Sequence, residues 1–278
     1  MSLLNDALRA GLDRPHRPDG TFAGHLVVAG AAGPLGAAVL EQSLALTHWP
    51  RVSALVTQPL EVALRGLAAV QVDPAHLDDT PALRPAPDTA IVVFDREGSR
   101  HGREAAFLRP RPGELPAFAG WLPRQGVRRL LLVMPHAPSL LPQALKAGLA
   151  SLDEQAVAAL GFEQFVIVRP TRSGPDGRDR AAAGANSRMT RWLSGLANGL
   201  LSQLQWMVPQ REQPLRAGKV AQFVMALARA MPEAGAGTRV APPELVWDWA
   251  QPAGGDRLLQ CWLREGRWDP PLVAPRRW

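Results

Sequence analysis

A chain of 278 residues, 46% hydrophobic and 20% charged, is long enough for one large domain, or one domain with a small lobe, and has a soluble globular composition. No apolar run reaches the roughly 18–20 residues that a bilayer span requires. "MSLLNDALRAGLDRPHRPDG" lacks a secretory pattern, and the lone Cys261 excludes an internal disulfide framework and a cysteine-based zinc cluster. The formal charge of +6 is spread over arginines interleaved with Asp, Glu, Pro and Ala, and Lys146 and Lys219 are the only lysines. Without a basic run, neither nucleic acid nor a membrane is expected as partner, and the cytoplasm is the expected compartment.

The elements follow in chain order. Leu3, Leu4, Ala7, Leu8 and Leu12 predict a short amphipathic helix over 3–11, closed by "RPHRPDG", so residues 1–22 read as an N-terminal extension. "HLVVAG" from His25 is a buried strand and 34–46 a helix. Strands follow at 51–57, 68–73 and 89–95, then a helix at 114–124, a strand at 128–134, a helix at 140–160 and a strand at 164–170. Apolar strands alternating with helices predict a parallel sheet covered on both faces. After Pro170 the polar, small-residue stretch "TRSGPDGRDRAAAGANS" precedes helices at 187–206 and 218–231, and "TRVAPPELVWDWA" reads as a strand entering a helix. Residues 23–250 therefore read as one Rossmann-type domain and 251–278 as a Trp-rich tail, in which Leu258, Leu259 and Trp262 have the spacing of an apolar helix face. The fold class expected is α/β: a doubly wound parallel sheet, helices on both faces, and a small C-terminal substrate-side lobe. A symmetric homodimer is expected, with apolar area on the tail and on helices 140–160 and 187–206.

"VVAGAAGPLGAAVLEQ", residues 27–42, carries the functional reading. Gly30 permits a tight turn out of the strand, Gly33 lets a pyrophosphate approach the backbone, and Gly36 lets the helix pack close to the sheet. The helix start offers free N–H groups and partial positive charge to phosphate. Gly30, Ala32, Gly33, Pro34, Leu35 and Gly36 are thus the candidate cofactor-binding residues, against the alternative of a packing turn without ligand. Thr57, after the second strand, is the candidate ribose contact. Neither it nor Gln58 carries charge, so NAD and NADP are not distinguished.

Four stretches together carry a family likeness: "VVAGAAGPLG"; "DTAIVVFDREGSRHGREAAFLRPRPGELPAFAGWLPRQGVRRLLLVMPHAP"; "LGFEQFVIVRP"; and "GKVAQFVMALARA" followed by "VAPPEL". Over about residues 25–250 the chain resembles the atypical short-chain dehydrogenases/reductases, in particular the Tat-interacting-protein-like oxidoreductases. The resemblance implies a dinucleotide partner, NAD or NADP, and a Tyr-x-x-x-Lys pair assisted by a Ser. This chain has no tyrosine. The tyrosine's place falls near Lys146, the lysine's near Ala150 and the serine's near Met134-Pro135. Where the family tends to a small Ala-Leu-Gly turn after strand four, "FDREG" puts Asp95 and Arg96.

The remaining candidates are weighed against ordinary roles. His136, at the carboxyl edge of the sheet, could donate a proton or be incidental, and Lys146 could be an acid or ribose ligand, or simply solvated. Asp95 is a cofactor contact or a turn cap. His76 and His101 have no partner at ligand spacing, so no metal is assigned. The tail tryptophans Trp247, Trp249, Trp262, Trp268 and Trp278 form either a partner surface or a segment packed on the substrate side of the sheet. Three functions stay open: an NAD(P)-binding protein without classical catalysis, acting as sensor or regulator; a reductase with a non-tyrosine proton donor; and a cofactor-free scaffold.

Overall fold

The computed structural model describes residues 24–46, 48–62, 64–95, 105–135, 151–171 and 214–269. The expected helices at 3–11 and 187–206, and the first part of 140–160, lie outside them. Seven strands follow the apolar runs: β1 (His25–Ala29), β2 (Arg51–Val56), β3 (Leu67–Gln71), β4 (Thr89–Val93), β5 (Arg129–Val133), β6 (Gln164–Val168) and β7 (Gly237–Ala241). They form one sheet in the order β3-β2-β1-β4-β5-β6-β7, and every neighbouring pair is parallel. This is the doubly wound order, with β1 at the point where the winding reverses.

The strands read as unbroken apolar runs because both faces are covered. Leu26, Val28, Ile91, Val93, Leu131 and Val133 point to one face, where they meet helices α1 (Pro34–Ala45), α4 (Ala217–Ala230), α5 (Pro243–Trp249) and α6 (Asp256–Glu265). Val27, Ala29, Ala90, Val92, Leu130 and Leu132 point to the other, under α2 (Leu115–Arg124) and α3 (Leu152–Ala158). No described helix is long and apolar enough to cross a membrane.

Polar groups tie the edges. At the amino end, His25 is buried; its Nδ1–H donates to the Pro85 carbonyl (2.6 Å) and its Nε2 accepts from the Ser53 hydroxyl (2.7 Å). Burial pushes that imidazole below its usual pKa. At the carboxyl end, Arg169 donates to Glu154 (2.7 Å), both residues buried, which anchors the start of α3 to the end of β6. The described tail tryptophans turn inward. Trp262 is buried with Leu259 and Leu263, Trp249 meets Phe223 edge-on, and the Trp268 indole donates to the fully buried Asp248 (2.9 Å).

α1 approaches the sheet through bare backbone. A Cβ on Gly36 would run into the carbonyl of Gly30, and one on Gly30, whose φ is +94°, into the carbonyl of Val93. Gly36→Ala is therefore expected to destabilise the protein by about 2 kcal/mol or more, the scale of overpacking. Gly120→Ala is the contrast. It lies inside α2 with nothing within 4 Å of an added Cβ, so better helix propensity should raise stability by up to about 1 kcal/mol. Urea unfolding of the two variants beside wild type measures both.

Candidate functional site

Ligands of open α/β sheets bind outside the carboxyl ends of the strands where the winding reverses, here between β1 and β4. The turn after β1 leads into α1 with Gly33 as N-cap and Pro34 as first helical residue. Glycine brings no capping side chain, and α1 has no acidic residue in its first turn. Pro34 has no N–H, so the first free amides of the helix belong to Leu35 and Gly36. Ala32 is half-buried and Pro34 exposed beside them.

These amides hold a carboxylate. Asp95, two residues beyond β4, places Oδ2 2.5 Å from the Leu35 nitrogen and 3.3 Å from the Gly36 nitrogen. A Cβ at Gly33 would stand 2.5 Å from the same oxygen, so the carboxyl lies against the bare Cα of that glycine. Asp95 is either cofactor contact or turn cap by sequence. In the structure it caps α1 across 60 positions of chain, supplying the charge that the helix dipole favours and its own first turn lacks.

Thr57 lies just past β2, exposed, with residues 106–108 of the chain against one side of it. Its N–H donates to the Ala106 carbonyl (2.7 Å), and its hydroxyl reaches the same oxygen (3.3 Å). Val56 forms an antiparallel bridge with Phe107, and Leu108 N–H donates to the Leu55 carbonyl (2.9 Å). Residues 106–108 thus run along the end of β2, beyond the point where β1 stops.

Beside Thr57, at the ends of β2 and β3, is a cleft of about 410 Å³ lined by Asp73, His76, Asp79 and Thr80 among others. By sequence His76 has no carboxylate partner at ligand spacing, and the structure corrects this: its Nδ1 donates to Asp73 at 2.9 Å. The spacing Asp73-Pro-Ala-His76 was the available signal, since an Asx-type turn, closed here by Ala75 N–H onto Asp73 (2.9 Å), folds the carboxylate towards the ring. The hydrogen bond to Asp73, then its charge, raises the His76 pKa; the same bond, then that from Ala75, lowers that of Asp73. Among the described residues no group of three or more His, Cys, Asp or Glu side chains is placed to hold a metal ion. His136, Lys146, Arg96 and His101 lie outside the described residues.

No protein-family model and no curated protein matches the sequence. Solved structures that resemble it include uronate dehydrogenase from Agrobacterium tumefaciens, 15% identical over 91% of this chain and 92% of that one, with a TM-score of 0.45. The Bordetella bronchiseptica enzyme WbmH in complex with NAD+ is 11% identical over 91% and 86% of the two chains, TM-score 0.42. The UDP-Glc/GlcNAc 4-epimerase of Campylobacter jejuni is 10% identical over 81% and 82%, TM-score 0.44. The likeness is distant and is one of fold.

The Asp73–His76 pair has a defined titration signature. A raised histidine favours the folded state below its unfolded pKa, and that contribution is lost as pH rises through the folded value; a lowered aspartate contributes above its unfolded pKa, with loss as pH falls through the folded one. Their mutual support is confined to the pH window between the two. Asp73→Asn is expected to bring the His76 midpoint down towards the ordinary value of about 6.5, read from its ring-proton shifts against pH. A midpoint unchanged by the substitution would show that the pair does not form in solution.

Proposed function

We propose that this chain is an NAD(P)-binding Rossmann-fold protein of the atypical short-chain dehydrogenase type that works without the Ser/Tyr/Lys set, as a sensor or regulatory protein. The observation that carries this reading is the anion seat itself: two backbone amides at the β1/β4 switch point, positioned by Gly30 and Gly36, that already hold an anionic oxygen. Their donor chemistry fits a diphosphate. Leu35 and Gly36 N–H would donate to it, and bare Gly33 would leave it room once Asp95 stands elsewhere. The cleft by Thr57, Asp73 and His76 would face the adenosine end.

A nicotinamide, when bound, supplies the hydride donor or acceptor. With no tyrosine in the chain, there is no phenol to move a proton to or from a substrate oxygen. In this reading residues 23–250 are the nucleotide-binding domain, 1–22 an extension and 251–278 a tail whose helix α6 joins the core, and the protein acts as a cytoplasmic homodimer. One observation favours a second reading, a cofactor-free scaffold: the seat is taken by a side chain of the protein, and the Thr57 hydroxyl is spent on Ala106.

Calorimetric titration with NAD+, NADH, NADP+ and NADPH tests the proposal. Wild type is expected to bind at least one of them, and Gly33→Val to lose that binding while staying folded by circular dichroism. Reduction of short aldehydes, ketones or quinones by NADH or NADPH should stay at background, because a missing general acid typically forfeits about 10² to 10⁴ in rate. Sustained substrate-dependent oxidation of NADPH that disappears in His136→Ala would make the protein a reductase instead. No binding of any nucleotide, with Asp95 present or removed, would leave the scaffold.

A further inference from the structure

We infer that Asp95 is a built-in competitor for the anion seat of α1, so that a diphosphate ligand binds only by displacing a carboxylate of the protein itself. The inference rests on the nucleotide reading above and adds to it an occupant that holds the unliganded site closed.

Three observations converge. The same carboxylate oxygen reaches both amides that a phosphate oxygen would use. The Asp95 side chain back to its Cβ, not its tip alone, fills the space that a glycine at 33 opens: a Cβ there would stand 2.5 Å from Oδ2, 2.6 Å from Cγ and 2.7 Å from Cβ of Asp95. And the placement is built into the sheet. β1 and β4 are adjacent and parallel, with Ala29 opposite Val92, so the chain leaving β4 passes directly over the turn that leaves β1.

Two anions cannot share this seat. They would overlap above Gly33 and repel each other at hydrogen-bond range, while α1 has no further acid in its first turn to be replaced. A tethered carboxylate competes at a fixed, high effective concentration, and the ligand's apparent Kd rises as the reciprocal of the fraction of molecules whose seat is open. Removing a helix-capping acceptor typically shifts an equilibrium about two- to thirtyfold, so the competition is strong enough to set affinity and weak enough to be overcome.

A cap that also competes has a signature that a cap alone lacks: its removal lowers stability and raises affinity together. The test uses the full chain as wild type, Asp95→Ala and Asp95→Asn. Each is titrated calorimetrically with NAD+, NADH, NADP+, NADPH and inorganic pyrophosphate, and the unliganded Tm of each is recorded. Asp95→Ala is expected to bind dinucleotide and pyrophosphate about tenfold more tightly than wild type while its unliganded Tm falls. Asp95→Asn keeps an acceptor oxygen and loses the charge, so its gain should be smaller; it carries the test if the alanine variant does not fold. Wild-type binding that is equal or tighter than that of both variants overturns the inference and leaves the nucleotide reading standing, with Asp95 a plain helix cap. Absence of binding in all three proteins overturns both.

Discussion

The closeness of β4 to the turn that follows β1 governs this molecule. The Val93 carbonyl occupies the space a side chain on Gly30 would need, so the turn is glycine with positive φ or it does not form. From that contact the rest follows. The turn launches α1 at an angle that presses Gly36 onto the Gly30 carbonyl, which fixes where the helix amides point. The strand that crowds the turn also delivers Asp95 to those amides. The residue that stops the site from being empty is thus set by the sheet register that creates the site.

The carboxyl edge of the sheet repeats this theme. Its polar groups are answered from within: Asp95 by α1, Thr57 by Ala106, Arg169 by Glu154. Each bond joins segments distant in sequence, and each lies where parallel sheets usually meet their ligands. Burying a paired Arg169–Glu154 beneath this edge avoids the cost of an uncompensated charge.

The fold was legible because its signals are local and repetitive. The apolar runs at 25–30, 89–95 and 128–134 predict buried strands, Pro34 and Gly33 mark the start of α1, and the spacing of Leu259 and Trp262 marks α6; all lie within a residue or two of their places. The strand read over 89–95 ends at Val93 instead; Phe94 N–H still donates to the Val133 carbonyl (2.9 Å), and Asp95 turns to the amides of α1. The site was half legible. Glycine spacing pointed to the helix amides, but nothing near Asp95 in sequence says that it reaches Leu35, a partner 60 positions away. The same holds for residues 106–108 against β2. The Asp73–His76 pair, three residues apart, carries a local signal, an Asx turn that folds the carboxylate onto the ring, and not one of metal-ligand spacing.

The three glycines of the turn answer to different demands. Gly30 and Gly36 are required by backbone that would collide with any side chain, whatever the site holds. At Gly33, whose φ of −117° suits any residue, the three atoms nearest an added carbon all belong to the Asp95 side chain, from Oδ2 back to Cβ. Under random mutation, a descendant that has given up its ligand would therefore keep the first and third glycines for the sake of folding, whereas a change at the second would require Asp95 to give way. The outer pair thus answers to the backbone, and the middle position to whatever lies against it, carboxylate or ligand.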